Sequence, residues 1–397
     1  MTPSGLVDEL VLRRRGRRLE IALLGAGRLL ELRVVEPDRP GQIGAIHLGR
    51  VATAAPQLDA AFVDIGARPD GGRDGFLRTV DMIGGAADRP RPGDPVLVQV
   101  AREATADKGA RLSMKLALPG RLVVLRPQET GAEISPRIVD AEERRRLAEI
   151  LAPLAQETGI TARTAAAEAD AGSLAQEVQR LSVLWDRLRA RALTAAPPLC
   201  LFAAEDELKQ VLREHGGQLQ HVIVEGGIDG KSLARQLGEL AQAQGDGFAV
   251  TQHDGRTPIF EIHDIEAQLE QALDSLVPLG GGGSLSIETT RALTAIDVDS
   301  GRGAPLAANL EAAEEIARQL RLRNLGGAVV VDFVTLKSGA ERDQVLGRLA
   351  VALAADPTPS QVVGWTRLGM VELTRARRGP SLAERFAMGG ADRPSGG

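Results

Sequence analysis

Three aspartates in the last third of the chain have the spacing expected for metal-assisted phosphate chemistry. Asp297 and Asp299 stand two residues apart in AIDVDSG, so they share one face of a predicted strand. Asp332 lies inside the apolar run VVVDFV, where a buried charge is unfavourable unless it is paired or bound to a cation. If the two strands are neighbours, Asp297 and Asp332 converge on a Mg²⁺ or Mn²⁺ ion, because hard cations prefer carboxylate oxygens.

A purely structural role for these carboxylates stays open. Each aspartate could instead cap a strand end or pair with a nearby arginine. The arginines at the end of the helix predicted between the two strands either complement the helix dipole or face phosphates. The candidate partners are Arg318, Arg321, Arg323, Arg375, Arg377 and Arg378.

Other kinds of catalytic site are poorly supported. The five histidines show no paired spacing for a metal or for a two-histidine ribonuclease. The single cysteine, Cys200, excludes an internal disulfide, and its position in PPLCLF predicts a buried, inert thiol. The GxGxxG pattern and the P-loop signature are both missing, so a nucleotide-dependent enzyme is not indicated.

The elements that must position the aspartates have an α/β pattern. SLSIETTRALTAIDVDSG predicts two strands joined by a turn, and AVVVDFVTL predicts a buried strand. Helices are predicted over about 305–323 and 340–355, with a further strand in GMVELTRARRG. Before them, a helix over about 263–277 ends at PLGGGGS, which predicts a flexible joint and a subdomain boundary.

A barrel is predicted nearer the amino terminus. Five short apolar runs over residues 35–115 are separated by Gly, Pro and Asp without a helix, which is typical of a small closed barrel of the OB type. Phe62 and Phe76 fall in these runs, where each either stacks on single-stranded bases or belongs to the core. The run RRRGRR at 13–18, between two earlier predicted strands, is either a solvated hairpin turn or a nucleic-acid patch.

The middle of the chain predicts a second α/β region. Amphipathic helices are expected over 140–156, 172–194, 205–215 and 231–244. The strands between them are GITARTAA, PPLCLF and HVIVEG, and the last two favour a parallel sheet.

Composition narrows the class of protein. The chain has 397 residues and a net charge of −5, so it does not coat nucleic acid through net charge. No segment has the roughly 20 apolar residues of a membrane span, and the start lacks a signal core, so membrane and secreted proteins are not expected. Of the 48 basic residues only five are Lys, which reflects either coding bias or phosphate recognition by Arg.

Long motifs resemble the catalytic core of the bacterial ribonuclease E/G family. They are TRALTAIDVDSG, NLEAAEEIARQLRLRNLGGAVVVDF and GMVELTRARRGPSL, together with AAFVDIG, DGFL, DKGARLS, ISPRI and GITARTA in the family order. The resemblance extends over nearly the whole chain to about residue 385.

The resemblance implies an α/β multi-subdomain fold. Residues 1–34 and 199–268 would form a ribonuclease-H-like subdomain into which an S1-type OB β-barrel, 35–115, is inserted. Residues 116–198 would form a 5′-sensor subdomain and 269–385 a DNase-I-like catalytic subdomain. Residues 386–397 are expected to be a disordered tail.

The resemblance also implies an activity: Mg²⁺-dependent endonucleolytic cleavage of single-stranded RNA in the cytoplasm, giving 5′-phosphate and 3′-hydroxyl ends. It would serve rRNA or tRNA maturation or mRNA turnover. By motif, Asp297 and Asp332 would hold the metal, and Asp299, where relatives usually have Asn, would orient that site. The residues that grip RNA would be Phe62, Phe76 and Lys108. The 5′-monophosphate pocket would consist of Arg163, Thr164, Gly120, Val124 and Arg137.

Three departures from the family pattern qualify this expectation. The Cys-Pro-x-Cys zinc linker is missing, so no zinc is expected and the protein would be a monomer or an oligomer without a zinc link. Thr335 stands where relatives often have another Asp, and the scaffold arm of larger relatives is also missing. The alternative function is a non-catalytic S1-domain RNA-binding factor.

Overall fold

The computed structural model describes residues 5–35, 42–66, 74–84, 89–104, 109–244, 247–377 and 379–388. The chain divides into two units, which are described separately. Unit one consists of Met1–Asp38 and His215–Gly397, and unit two consists of Arg39–Glu214.

The described residues form 21 strands, numbered in chain order. The first thirteen are β1 Glu9–Arg15, β2 Arg18–Gly25, β3 Arg28–Val35, β4 Ile46–Ala55, β5 Ala60–Asp64, β6 Gly75–Arg78, β7 Pro95–Arg102, β8 Arg111–Ser113, β9 Leu118–Pro119, β10 Val123–Arg126, β11 Gly131–Ile134, β12 Gly159–Ala162 and β13 Leu199–Phe202. The others are β14 His221–Glu225, β15 Ala249–His253, β16 Leu276–Pro278, β17 Ser284–Thr289, β18 Leu293–Asp299, β19 Gly327–Asp332, β20 Ser360–Trp365 and β21 Val371–Arg375.

Nine α-helices lie in the same described residues. They are α1 Ala141–Leu151, α2 Ala171–Thr194, α3 Glu207–His215, α4 Ile228–Gln244, α5 Ile259–Ile262, α6 Ile265–Gln271, α7 Pro305–Leu322, α8 Gly339–Ala354 and α9 Leu382–Met388.

The first sheet of unit one has the strand order β15-β14-β1-β2-β3. Strands β1, β2 and β3 are antiparallel neighbours, and β14 and β15 run parallel to β1. Parallel neighbours need a crossover, and α4 supplies it between β14 and β15. Apolar side chains of these strands and of α5 and α6 form one buried cluster, which includes Val11, Leu24 and Phe260.

The arginine-rich segment 13–18 forms the hairpin turn between β1 and β2. Arg15 pairs with Arg18, and the tip is exposed. Gly16 has φ +61°, in the left-handed region that glycine adopts without strain. Arg13 is held apart from the tip, because it donates to Glu20 at 2.7 Å and its guanidinium lies 3.8 Å from the Phe260 ring centre. The segment is therefore a hairpin turn, as one of the two interpretations predicts.

The second sheet of unit one has the order β16-β17-β18-β19-β21-β20. All neighbours are antiparallel except β18 and β19, which are parallel and are connected by α7. Helices α7 and α8 contribute Ile316, Leu320, Val345 and Leu349 to the buried cluster on one face of this sheet. The predicted strand–helix–strand–helix order of this region is confirmed.

The glycine-rich segment before this sheet is a hairpin turn, so the prediction of a flexible joint is wrong. Strands β16 and β17 on either side of it pair with each other, and Leu279 donates to the Gly283 carbonyl at 2.8 Å. Backbone N–H groups of Gly280 and Gly281 donate to the Glu311 carboxylate of α7 at 2.5 and 3.1 Å. The glycines suit this close approach because they carry no side chain.

The prediction of one continuous helix over 263–277 is also wrong. Two short helices, α5 and α6, flank Asp264, whose φ of +50° interrupts regular helix geometry. Residues 276–278 form strand β16, because they pair with β17.

Unit two contains the closed barrel. Its strands follow the order β4-β5-β6-β8-β7, and an additional pairing of β7 with β4 closes the ring. The five strands coincide with the five predicted apolar runs, and their inward residues, including Val51, Val63, Leu77 and Leu112, form one core. The prediction of a closed five-stranded barrel consistent with the OB type is confirmed.

The rest of unit two is a four-stranded sheet, β11-β12-β10-β9, covered by α1 and α2. Its core is continuous with β4, because Ile46 and Leu48 join the same buried cluster. Strand β13 pairs with β4, so it belongs to unit two, although the domain prediction begins the second ribonuclease-H-like segment at residue 199. Cys200 in β13 is exposed, so the prediction of a buried thiol is wrong: β13 is an edge strand of its sheet.

The end of the described chain is helical. Residues 386–388 of the predicted tail belong to α9, and Phe386 packs against the buried cluster of the first sheet. Residues 389–397 lie outside the described residues.

A polar network ties α7 to β3 within unit one. Glu31 of β3 accepts from Arg33 at 2.7 Å and from Arg321 of α7 at 3.2 Å. Arg318 of α7 donates to the Leu29 carbonyl at 2.8 Å and pairs with Glu315 at 2.7 Å. Burial alone would raise the pKa of Glu31, but the charges of Arg33 and Arg321 outweigh burial and hold that pKa well below its ordinary value.

We expect Glu31→Gln to remove a stabilisation that depends on pH. A carboxyl whose pKa is lowered by folding stabilises the native state above its unfolded pKa, and this contribution disappears as acid protonates it. The variant should lose about 2 kcal/mol of unfolding free energy at pH 7. Urea unfolding at several pH values measures this.

The matched control for this prediction is Glu239→Gln, since Glu239 is exposed on α4 in the same unit. Between pH 5 and pH 3 the wild type should lose more stability than Glu31→Gln. Parallel pH profiles for the two proteins would contradict the proposed role of Glu31.

Candidate functional site: a carboxylate pair and a buried arginine

Asp297 and Asp332 lie side by side. Strands β18 and β19 pair in parallel with Asp297 opposite Asp332, so the two side chains project from the same face of the sheet. Neighbouring strands are about 4.8 Å apart, which places the two carboxylates within the span of one bound cation. The neighbouring Ile296 and Val331 are buried on the opposite face, under α7 and α8.

The expectation that Asp332 is buried is wrong. Burial alternates along β19: Val329 and Val331 face the core, while Ala328 and Asp332 are exposed. Val330 lies on the same face as Asp332 and is only half-buried. Successive residues of this apolar run therefore alternate between the core face and the exposed face, as in an ordinary strand. Desolvation therefore does not disfavour the charge of Asp332, although the two adjacent carboxylates repel each other.

The structure shows, for each of the three aspartates, whether it caps a strand end or pairs with an arginine. Asp299 caps its strand end, because its Oδ1 accepts from the Gly301 N–H at 2.9 Å. Asp299 shares the exposed face with Asp297, two residues away. Within the described part of the chain, neither Asp297 nor Asp332 forms an ion pair or a cap.

The candidate arginine partners are engaged elsewhere. Arg318 and Arg321 belong to the network with β3, and Arg323 donates to Gln319 at 2.6 Å. Burial, with the charge of Arg318, lowers the pKa of Arg323 to about 10. Arg375 is buried in an ion pair with Asp356 at 2.8 Å.

Of the other two arginine candidates, Arg377 is exposed and Arg378 lies outside the described residues. The buried arginines therefore hold the fold together and do not form an anion site beside the aspartates.

The carboxylate pair fits Mg²⁺ in its donor chemistry. Magnesium is commonly bound through one or two carboxylates and several waters, and Asp297 and Asp332 supply two. The described residues contain no cluster of three or more His, Cys, Asp or Glu side chains arranged to hold a metal. The described residues thus offer no cage of three or more such ligands, and the Asp297–Asp332 pair supplies two carboxylates.

Asn309 was not anticipated from the sequence. Its side chain is fully buried on α7, donates to the Val334 carbonyl at 2.8 Å and accepts from the Val334 N–H at 3.0 Å. This amide therefore fixes the backbone two residues after Asp332, where β19 ends. A polar residue amid the apolar positions of the predicted helix was the one available signal.

Phe62 and Phe76 form an aromatic pair on the outside of the barrel. They are directly opposite each other on β5 and β6, with ring centres 5.7 Å apart at 57°. Both rings are half-buried, while the flanking Ala61, Val63 and Leu77 point into the core. The position suits stacking on a base better than core packing. Lys108, the third residue of this predicted group, lies outside the described residues.

The predicted 5′-phosphate residues gather at one end of the four-stranded sheet. Strands β11 and β12 are parallel, so their carboxyl ends carry Arg137 on one side and Arg163 and Thr164 on the other. Ser135 donates to the Ala162 carbonyl at 2.9 Å, and Arg163 donates through its N–H to the Leu122 carbonyl at 2.7 Å.

The other predicted positions join this end to differing degrees. Gly120 is in direct contact, because Arg163 Nη1 donates to its carbonyl at 2.7 Å. Val124 is half-buried in β10, opposite Thr161 of β12. Thr164 is exposed at the start of the 3₁₀ turn Thr164–Ala166.

Arg163 is half-buried among charges of both signs. Burial lowers its pKa and the neighbouring charge of Arg213 lowers it further, while the charges of Glu214, Glu177 and Glu205 oppose this shift. No carboxylate in the described part of the chain forms an ion pair with Arg163, whereas Arg213 is paired with Glu205 at 2.8 Å. A half-buried, unpaired guanidinium can accept a phosphate without first breaking an ion pair.

These features define an α/β protein that combines a closed five-stranded barrel consistent with the OB type, an in-register carboxylate pair and a half-buried arginine that has no ion-pair partner among the described residues. Residues 117–378 match the model of the Ribonuclease E/G family. The chain is 37% identical over 366 residues to ribonuclease E of a Nostoc strain, covering 87% of this chain and 52% of that protein. It is 31% identical over 401 residues to ribonuclease G of Haemophilus influenzae, covering 94% and 80%.

A further relative is ribonuclease G of Escherichia coli K12, at 30% identity over 388 residues, covering 91% of this chain and 78% of that protein. The chain therefore belongs to the ribonuclease E/G family, which confirms the resemblance seen in its motifs. It spans about half the length of the ribonuclease E relatives from Nostoc and Synechocystis. Among the described residues, no helix combines the length and apolar character of a membrane span.

We expect Asn309→Ala to destabilise unit one. The change leaves the N–H and the C=O of Val334 without their side-chain partner in a region away from solvent, at a cost of about 1–3 kcal/mol. Denaturant unfolding measures this, with Gln344→Ala on the exposed side of α8 as the control. Equal stabilities for the two variants would show that Asn309 does not hold the end of β19.

Proposed function

We propose that the protein is an endoribonuclease that hydrolyses single-stranded RNA and leaves 5′-phosphate and 3′-hydroxyl ends. The observation that carries this proposal is the register of β18 and β19, which places two unpaired carboxylates together on an exposed sheet face. The relatives' name, ribonuclease, supplies the substrate class. Cytoplasmic maturation of rRNA or tRNA, or mRNA turnover, is the proposed setting.

We further propose four subdomains. The barrel corresponds to the S1-type OB domain, and the mixed sheet of β1, β2, β3, β14 and β15 to the ribonuclease-H-like part. The sheet of β9–β12 with α1 and α2 corresponds to the 5′-sensor. The sheet of β16–β21 corresponds to the DNase-I-like catalytic part. The strand orders and the buried clusters of the individual sheets support this division, although the cluster of the β9–β12 sheet also takes in Ile46 and Leu48 of β4.

In the proposed mechanism, Asp297 and Asp332 hold a divalent cation, with Mg²⁺ preferred and Mn²⁺ a substitute. When bound, the cation supplies Lewis acidity that offsets phosphate charge and makes water more acidic. Asp299 keeps one oxygen on Gly301 and so fixes the turn after β18 next to Asp297. Asn309 fixes the backbone after Asp332. The chain's own contribution is therefore rigid placement of two carboxylates.

The RNA strand is positioned by other residues. Phe62 and Phe76 offer two half-exposed rings on which bases stack without sequence preference. Arg163 receives a 5′-monophosphate, with Thr164 beside it at the end of β12. Contacts at these positions orient the scissile phosphodiester bond. They take no part in its cleavage.

Asp297→Asn and Asp332→Asn should each reduce cleavage of a 5′-monophosphorylated RNA by about a hundredfold or more, because cation charge stabilisation is worth several kcal/mol. Binding of the same RNA should change little. Gel cleavage assays over a Mg²⁺ and Mn²⁺ titration test this, and Asp343→Asn, an exposed carboxylate of α8, is the control.

If both variants cleave as fast as the wild type, the site assignment is wrong. If the wild type binds RNA but cleaves none with either metal, the proposal of an enzyme is wrong and the alternative, a non-catalytic S1-domain RNA-binding factor, takes its place.

Phe62→Ala and Phe76→Ala should each weaken RNA binding by about 1–3 kcal/mol, the value of one stacked base. Fluorescence anisotropy with a single-stranded RNA measures this. Val80→Ala is the control, since Val80 is a strongly exposed apolar residue just after β6. Unchanged RNA affinity in both phenylalanine variants would show that the two rings are not part of the RNA-binding surface.

A further inference from the structure

The carboxylate of Glu177 on α2 fills a row of backbone donors beside Arg163. Its Oε1 accepts from the Arg121 N–H at 2.8 Å, and its Oε2 accepts from the N–H groups of Leu122 and Val123 at 2.6 and 2.9 Å. The Glu177 side chain is 11% exposed. Three charge-assisted hydrogen bonds to consecutive residues make this the main tertiary tie of the segment.

The same carboxylate explains why residue 120 is glycine. A Cβ at Gly120 would lie 2.6 Å from the Glu177 carboxyl carbon and 2.8 Å from both of its oxygens. Real atoms do not approach this closely, so a side chain at 120 would displace the carboxylate. Gly120 therefore serves the contact with α2, whether or not it also faces a phosphate.

The segment held by Glu177 in turn holds Arg163. The Gly120 carbonyl accepts from Arg163 Nη1 at 2.7 Å, and the Leu122 carbonyl accepts from the Arg163 N–H at 2.7 Å. The carbonyls of Gly120 and Leu122 thus face Arg163, while the N–H groups of residues 121–123 donate to Glu177. Movement of residues 120–123 would release both the backbone and the guanidinium of Arg163.

Glu177 acts on the guanidinium through its charge but does not pair with it. Its oxygens are taken up by the three N–H groups and by Arg180 at 3.3 Å, and it forms no ion pair with Arg163. Since the three N–H groups are occupied, they are not donors for a bound phosphate, and Arg163 remains the cation for that purpose.

We propose that Glu177 is a positioning residue for 5′-monophosphate recognition: it holds residues 120–123 so that the Gly120 carbonyl aims the Arg163 guanidinium. This inference rests on the proposed function, because it assigns a specificity role within the 5′-end pocket. Glu177 itself does not contact the phosphate.

The test uses one single-stranded RNA carrying either a 5′-monophosphate or a 5′-hydroxyl, with steady-state KM and kcat measured for each. Glu177→Gln keeps the shape but places an amide donor against backbone donors. It should raise KM for the monophosphorylated RNA about tenfold, the effect of losing one charge-assisted hydrogen bond, with kcat unchanged. Cleavage of the 5′-hydroxyl RNA should not change.

Two further variants make the test specific. Asp186→Asn is the matched control, since Asp186 is an exposed carboxylate on the same helix, and it should behave as the wild type on both RNAs. Glu177→Gln added to Arg163→Ala should have no further effect, because Glu177 acts through Arg163. Circular dichroism melting fixes an assay temperature at which every variant is folded.

The outcomes separate this inference from the proposed function. If Arg163→Ala abolishes the preference for the monophosphate but Glu177→Gln retains it, the role of Glu177 is wrong and the pocket stands. If Glu177→Gln impairs both RNAs equally, its role is to maintain the fold, and the inference is overturned. If the wild type shows no preference and Arg163→Ala has no effect, the 5′-end pocket itself fails and the role of Glu177 fails with it.

Discussion

The parallel pairing of β18 with β19 is the constraint on which the candidate catalytic site depends. Parallel neighbours cannot be joined by a tight turn, so the chain must cross over between them, and α7 is that crossover. The register brings Asp297 opposite Asp332, and slippage by one residue would turn one carboxylate into the core. The buried amide of Asn309, the ties from α7 to β3 and the carboxylate of Glu311 on the glycine-rich turn all hold α7, and thereby the register.

Polar side chains of α7 therefore stabilise the fold, a role that residue type alone does not indicate. The sequence offers the arginines of α7 as candidate phosphate ligands, but Arg318 pairs with Glu315 and Arg321 pairs with Glu31. In unit two, by contrast, Arg163 is half-buried and forms no ion pair among the described residues, which is why the proposed function gives it a phosphate. What distinguishes these arginines is whether a carboxylate pairs directly with the guanidinium, and this is decided by contacts between residues far apart in the sequence.

Local pattern was enough to predict much of the fold and part of the site. The five barrel strands, the helix α7 and the proximity of Asp297 and Asp332 follow from two-residue and helical periodicity and from the strand order they suggest. Predictions failed where a distant partner decides the outcome. The glycine-rich turn is held by Glu311, and Asp332 is exposed because helices cover only the other face of its sheet near it. Glu177 lies about 55 residues from the segment it holds, so no local signal marks it.

An acidic protein can still recognise a polyanion, because its electrostatics are local. Charges farther apart than about 8 Å are largely screened at physiological salt, so a net charge of −5 says little about any one site. At the carboxylate pair, the cation of the proposed function would reverse the sign of the local charge. At Arg163, the carboxylates of Glu214, Glu177 and Glu205 act on the guanidinium through their charge, but none in the described part of the chain forms an ion pair with it. The aromatic pair on the barrel needs no charge, because base stacking is indifferent to it. Under the proposed function, the arrangement of each site, and not the composition of the chain, makes contact with RNA favourable.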